Sequence, residues 1–152
     1  MRKEEKEITE IDDIEKIIKK ALCCRIGLMD DDEPYIVPVS FGYERNVLYF
    51  HGALEGRKTG LIKKHNKVCF EMDADVEMVE DLESCICTAK YRSVMGTGKA
   101  ITLERDEEKH KGLKLITKQY GMKGFDVPKT RLDKTMVVRV DIKSITGKKT
   151  GY

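Results

Sequence analysis

The chain has 152 residues, 37% of them charged, yet 29 lysines and arginines against 27 acids leave a formal net charge of only +2. That near balance, with the two signs interleaved as in MRKEEKEITEIDDIEKIIKK, excludes the basic stripe of a dedicated nucleic-acid binder. No run approaches the roughly 18 apolar residues of a membrane span, and the charged N-terminus lacks the apolar core of a signal peptide, so a single cytoplasmic domain over residues 1–152 with no membrane partner is expected.

Ile11, Ile14, Ile17, Ile18 and Leu22 recur at helical spacing and predict a helix over 8–22, with Thr9 as N-cap, Asp12 in the first turn and lysines in the last. CCRIGLM (23–29) reads as a strand and the DDDEP that follows as a turn. YIVPVSFGY (35–43) alternates and passes through ERN, a hairpin-like connection, into NVLYFHG (46–52). Pro38 cannot donate to a ladder, so it marks an edge, a bulge or a ligand.

Residues 55–65 form a short helix with Leu61 and Ile62 as apolar contacts, and KVCFEMD (67–73) is another strand. ADVEMVEDLE (74–83) lacks the glycine and aspartate spacing of a calcium loop and is read as a solvated linker. SCICTAKYRSVMGTGKAITLE (84–104) is extended for longer than an ordinary strand, and Gly96 and Gly98 are expected to bend it. EEKHKGLKLITKQYG (107–121) is a helix stopped by Gly121. A loop with Pro128 then leads to a final strand over 134–147. Six or so strands with short connections and peripheral helices make the protein mainly β, a small antiparallel barrel. Cys23, Cys24, Cys69, Cys85 and Cys87 are an odd set without a C-x-x-C pair, expected to be reduced, buried thiols, and no ligand pair at usable spacing supports a metal site.

Two segments carry chemistry. In LYFHGALEGRK (48–58) a strand ends at His51 and Gly52, and Arg57 and Lys58 open a helix, where cations are unfavourable beside the positive end of the dipole unless an anion compensates them. The spacing fails the phosphate-binding P-loop, so the choice is between an anion site of another kind and a solvated basic turn. In AKYRSVMGTGKA (89–100), Tyr91, Arg92 and Ser93 offer a flat face, a fork of donors and a hydroxyl, suited to a phosphate and an aromatic ring or simply to an outward polar face. The glycines there fail the dinucleotide-binding pattern because Ile101 occupies its last position. The three histidines, His51, His65 and His110, form no catalytic constellation.

Taken together and in this order, VPVSFGY, LYFHGALEGRK and YRSVMGTGKA resemble the FMN-binding split-barrel flavoproteins. Within that group they resemble the nitroimidazole-resistance (Nim-type) reductase-like members related to pyridoxamine 5′-phosphate oxidase. The resemblance runs from the leading helix to VRVDIKSITGK. It implies a six-stranded antiparallel Greek-key split barrel that forms a homodimer with FMN at the subunit interface. It further implies that Pro38, Val39 and Ser40 line the flavin ring through backbone groups, that Phe50, His51 and Gly52 continue that wall, and that Arg57 and Lys58 hold the phosphate. Tyr91, Arg92, Ser93 and Val94 would complete the site, some from the partner subunit. Gly52 stands where such proteins often carry Ser or Thr, so a hydroxyl contact is missing. The implied function is an FMN-dependent oxidoreductase reducing a small acceptor, nitroaromatic compounds included, with His51 as the catalytic candidate. The alternative is a non-catalytic flavin-binding carrier or redox sensor, and pyridoxal phosphate, haem or the deazaflavin F420 are the competing ligands. The additional basic residues expected for a true pyridoxamine phosphate oxidase are not evident.

Overall fold

Alternation along the apolar segments decides which side chains share a core. The computed structural model of the chain describes residues 4–81, 86–122 and 126–152. A 3₁₀ turn at Glu4–Lys6 and the two-residue β1 (Glu7–Ile8) lead into α1 (Ile11–Lys20). β2 (Cys24–Asp30) and β3 (Glu33–Val39) form one hairpin, and β4 (Phe41–Glu44) and β5 (Val47–Gly52) a second. Then come α2 (Arg57–Lys64), β6 (Lys67–Asp81), β7 (Ile86–Thr102), α3 (Asp106–Gln119), α4 (Lys129–Leu132) and β8 (Met136–Thr150).

The strands pair antiparallel along the path β3-β2-β6-β7-β8-β5-β4, with β1 added beside β8. The two ends of that path, β3 and β4, are consecutive in the chain and joined by Ser40 alone. A sheet whose first and last strands share a one-residue link cannot lie flat; it curls into a barrel that is split at the link. Counted as one bent strand, β3 and β4 restore the expected six, and β1 is an addition.

Phe41, Leu48, Phe50, Phe70, Met72, Val94, Val138 and Val140 fill the barrel, and Ile14, Ile17 and Ile18 of α1 pack against them. Each large apolar side chain so buried contributes about 1.5–3 kcal/mol. α3 builds a second cluster on the outside, where Leu113 and Ile116 meet Tyr49 and Val137. β5 is therefore buried on both faces, Leu48 and Phe50 inward and Tyr49 outward. α3 lies directly on β4 because position 42 has no side chain: a Cβ there would stand 2.5 Å from the backbone of Leu115 and Ile116.

Several expectations are corrected. α1 starts one residue after Glu10, which occupies the N-cap without a side-chain bond, so Thr9 does not cap it. The helix also ends at Lys20, leaving Leu22 80% exposed, and Ile11 is 47% exposed. The DDDEP turn shrinks to Asp31–Asp32, with Asp31 at φ 53, and Pro34 lies inside β3 opposite Met29. β3 is an edge strand, so a residue without an N–H is tolerated there.

ADVEMVEDLE is not a solvated linker: β6 continues through it to Asp81, with Glu77 opposite Lys90. Acids and apolar residues intermix along that stretch, and its partner strand satisfies the ladder. A bulge between Ala74 and Glu77 holds Asp75 at φ 54. Leu82 and Glu83 lie outside the described residues. The expected bend in the long strand is present as a register shift between Thr97 and Gly98.

The thiols also differ from expectation. Cys24 is buried, and burial pushes its pKa far up, but Cys23 is half-buried and Cys69 exposed. Cys69 sits outward on β6 opposite Gly27 and Thr97, which is why it escapes the core. Cys85 and the side chain of Cys87 lie outside what is described. Among the described residues, no helix is long and apolar enough to cross a membrane.

Candidate functional site

β5 delivers the chain to Gly52, and a short connection reaches Gly56, whose φ of 124 makes it the N-cap of α2. No side chain caps this helix and its first turn contains no acid, so Arg57 and Lys58 stand beside unsatisfied N–H groups at the positive end of the dipole. The Thr59 hydroxyl donates to the Ala53 carbonyl at 2.9 Å and pins the connection.

The two cations diverge. Arg57 pairs through Nε with Asp30 at 2.7 Å and lies over the Tyr35 ring, 4.6 Å from its centroid. Lys58 has no carboxylate partner among the described residues. Its Nζ donates to the His51 carbonyl at 3.4 Å and sits 5.6 Å from the centre of the Phe50 ring. A Cβ at position 52 would stand 2.9 Å from that nitrogen, so the glycine makes the space Lys58 occupies. Desolvation by the surrounding protein lowers the Lys58 pKa below its usual 10.5. The result is a cation held against its own solvation preference, which an incoming anion relieves.

Strand alternation places the remaining residues. Phe50 points inward and is fully buried, and Val39 and Val94 are likewise core side chains, so these three can meet a ligand only through their backbone. His51 takes the opposite face from Phe50, the face of Tyr49, and is exposed. Its pKa lies below 6.5, first because protein bulk desolvates it and then because Lys58 is near. Pro38 is exposed, as is Ser40 at the seam between β3 and β4. Ser93 is 8% exposed. The Lys148 ammonium lies 5.4 Å from the centre of the Tyr91 ring, and this neighbouring cation lowers the phenol pKa below its usual value.

Arg92 stands elsewhere. Its Nη1 bonds Asp75 at 2.6 Å and its guanidinium stacks on Tyr152 at 3.9 Å, in a cleft of about 390 Å³ that also contains Lys16, Lys20 and Lys149. The Asp75 carboxylate also accepts from Lys20 at 3.0 Å, and these two cations hold its pKa below the usual carboxylate range. Gly52 pairs with Met136 and Arg92 with Lys149, thirteen residues further along β8. At ~3.3 Å per residue that is roughly 40 Å of strand contour. The chain thus gathers Phe50, His51, Gly52 and Lys58 at one end of β8 and leaves Arg92 near the other.

Sequence reasoning missed the outer face of the sheet. A cleft of about 760 Å³ there is lined by Gly27, Met29, Ile36 and Cys69, with Lys67 and Lys99 also on its walls. At Cys69 it adjoins a second of about 460 Å³ that includes Phe70, Met95 and Ile145. Ile36 is 66% exposed and Met95 59%. The available signal was Ile36, an apolar residue on the face opposite Tyr35 and Val37, which pack on the core.

The sequence matches the protein family described as Pyridoxamine 5′-phosphate oxidase over residues 10–149, from α1 to the penultimate residue of β8. Among curated proteins it finds no match. A solved structure of a candidate 5-nitroimidazole antibiotic resistance protein from Bacteroides thetaiotaomicron is 31% identical, with a TM-score of 0.85 over 93% of this chain and 85% of that one. Two more distant structures share the fold. The FAD and haem binding protein of Mycobacterium smegmatis is 17% identical, with a TM-score of 0.84 over 97% of this chain and 74% of that one. A flavocytochrome of Azotobacter vinelandii is 18% identical, with a TM-score of 0.79 over 96% and 70%. With residues 10–149 inside the matched span and a relative of the same fold at this identity, the chain belongs to the pyridoxamine 5′-phosphate oxidase family.

Proposed function

We propose that this protein binds FMN at the Lys58 end of its barrel and works in the cytoplasm as a flavin-dependent oxidoreductase toward small acceptors, nitroaromatic compounds being the first class to test. The observation that carries this reading is the Lys58 ammonium, desolvated, without a carboxylate partner among the described residues, and set beside the uncapped N-terminus of α2. That donor set fits a phosphate dianion. The similarity to structures described as an FAD and haem binding protein and a flavocytochrome supports a flavin as the cofactor, and the similarity to a nitroimidazole resistance protein supports the acceptor class.

Lys58 and the α2 N–H groups would hold the phosphate, joined by Arg57 once it leaves Asp30. Backbone groups of Pro38, Val39, Ser40, Phe50, His51 and Gly52 would orient the ring. Bound FMN supplies the electron-transfer chemistry that no side chain here can perform. His51, favoured as neutral imidazole, offers a hydrogen bond or a proton at a ring nitrogen.

The same reading includes a homodimer. Arg92 and Tyr91 lie far along β8 from Lys58, so residues 91–94 would join the site from a second copy, and the apolar outer face around Ile36 and Met95 would be the surface that copy covers.

A charge-assisted hydrogen bond is worth about 1.5–3 kcal/mol. Lys58→Ala is therefore expected to weaken FMN binding about 10- to 100-fold by titration. Unchanged affinity would remove the phosphate assignment. Anaerobic reoxidation of the reduced protein by a nitroimidazole tests the activity. The second reading, a flavin carrier or sensor, is favoured by one observation: no carboxylate is hydrogen-bonded to His51 among the described residues, so no acid–base dyad is assembled. A reduced protein that no acceptor reoxidises would establish that reading instead.

A further inference from the structure

α3 ends in two residues that reach back to the barrel. The Gln119 amide nitrogen donates to the carbonyls of Ile18 at 2.9 Å and Ala21 at 3.2 Å, tying down the end of α1. The Tyr120 hydroxyl accepts the Phe41 N–H at 3.1 Å and donates to the Leu22 carbonyl at 3.1 Å. Its ring meets Phe41 edge-on, with centroids 6.4 Å apart and planes at 79°. One hydroxyl therefore ties the seam where β3 becomes β4 to the connection between α1 and β2.

The Phe41 N–H belongs to the peptide group that follows Ser40. A peptide group is planar, so fixing its N–H also fixes the direction of the Ser40 carbonyl. Ser40 lies between the two flanking strands, and the peptide it shares with Phe41 meets the β4–β5 ladder at the Phe41–Phe50 pair. The Tyr120 bond is a second hold on this plane, added to that ladder pair at the seam. The approach of α3 to β4 at Gly42 keeps the tyrosine within reach.

We infer that Tyr120 is a positioning residue for the flavin ring: by holding the Ser40–Phe41 peptide plane it aims the backbone of the Pro38–Ser40 edge. This rests on the flavin reading above. Loss of one neutral hydrogen bond in Tyr120→Phe is expected to weaken FMN binding about 3- to 10-fold and to shift the visible bands of the bound flavin. Gln119→Ala breaks the ties to α1 but spares the hydroxyl. It is expected to lower the Tm while leaving FMN affinity within about twofold and the bands in place.

A Tyr120→Phe protein with wild-type affinity and wild-type bands overturns the inference, whatever its Tm. Wild-type protein that binds no FMN overturns the flavin reading and this one together, so the two failures are distinguishable. Should the variant not fold, hydrogen exchange in the wild type decides: FMN must slow exchange of the Phe41 amide, and an unchanged rate overturns the inference.

Discussion

Lys58 and His51 each carry a proton equilibrium displaced by their surroundings, and the two displacements are linked. The His51 pKa is below 6.5 in the folded chain, so as pH falls the unfolded chain takes up that proton first. His51 therefore costs stability as pH drops through about 6.5, and contributes no such penalty above it. Lys58 is the smaller of its two causes, desolvation the larger. Lys58→Ala should thus raise the His51 pKa part of the way back to 6.5, as followed by NMR titration of the imidazole; an unmoved pKa would mean that the two groups do not interact. The basic pair itself was legible in the sequence, from charge at a helix start. Its divergence was not, because the partner that draws Arg57 away, Asp30, lies 27 residues earlier on another hairpin.

At the level of elements, the hairpin between β4 and β5 turns through Arg45 and Asn46, both left-handed at φ 49 and 66. Two-residue turns of this kind match the twist of the strands they join, but only glycine and asparagine enter them readily. Asn46 has reason to stay: its amide donates to the Ile142 carbonyl at 3.2 Å, and its N–H to the Tyr43 hydroxyl at 3.1 Å. Arg45 makes no comparable contact with the turn. The left-handed conformation costs roughly 1–2 kcal/mol for a residue with a Cβ, offset in part by the greater chain entropy glycine loses. Arg45→Gly should therefore stabilise the protein by about 0.5–1 kcal/mol, read from the midpoint of urea unfolding. Strands and helices with clean periodicity, such as 46–52 and 107–121, were legible to within two residues. Residues 74–81 were not, since a run of intermixed acids and apolar residues gives composition more weight than pairing, and pairing is what makes that strand.

For the whole molecule, the order of motifs carried the fold class, while the strand order rests on partners distant in sequence. β2 lies against β6 and β5 against β8, and no local pattern announces either. The same holds for Arg92, whose partner Asp75 sits at a bulge in the segment read as a linker. The outer face gives the test at this scale. Ile36→Asp alters an exposed position and should change monomer stability by no more than about 0.5 kcal/mol. In the proposed dimer it buries a charge, so sedimentation equilibrium should show monomer in place of dimer, with FMN binding weakened. Wild-type protein that sediments as a monomer would dispose of the interface.

An open sheet offers two rows of unpaired N–H and C=O groups that recruit strands from other chains, the route to aggregation and strand exchange. At the two ends of the main strand path those rows belong to β3 and β4, neighbours across Ser40, and β3 presents Pro34 and Pro38, which have no N–H to offer. A third strand would have to wedge between segments that one residue holds together. At that seam the protein refuses growth strand by strand, while its exposed apolar face stays open to association side against side.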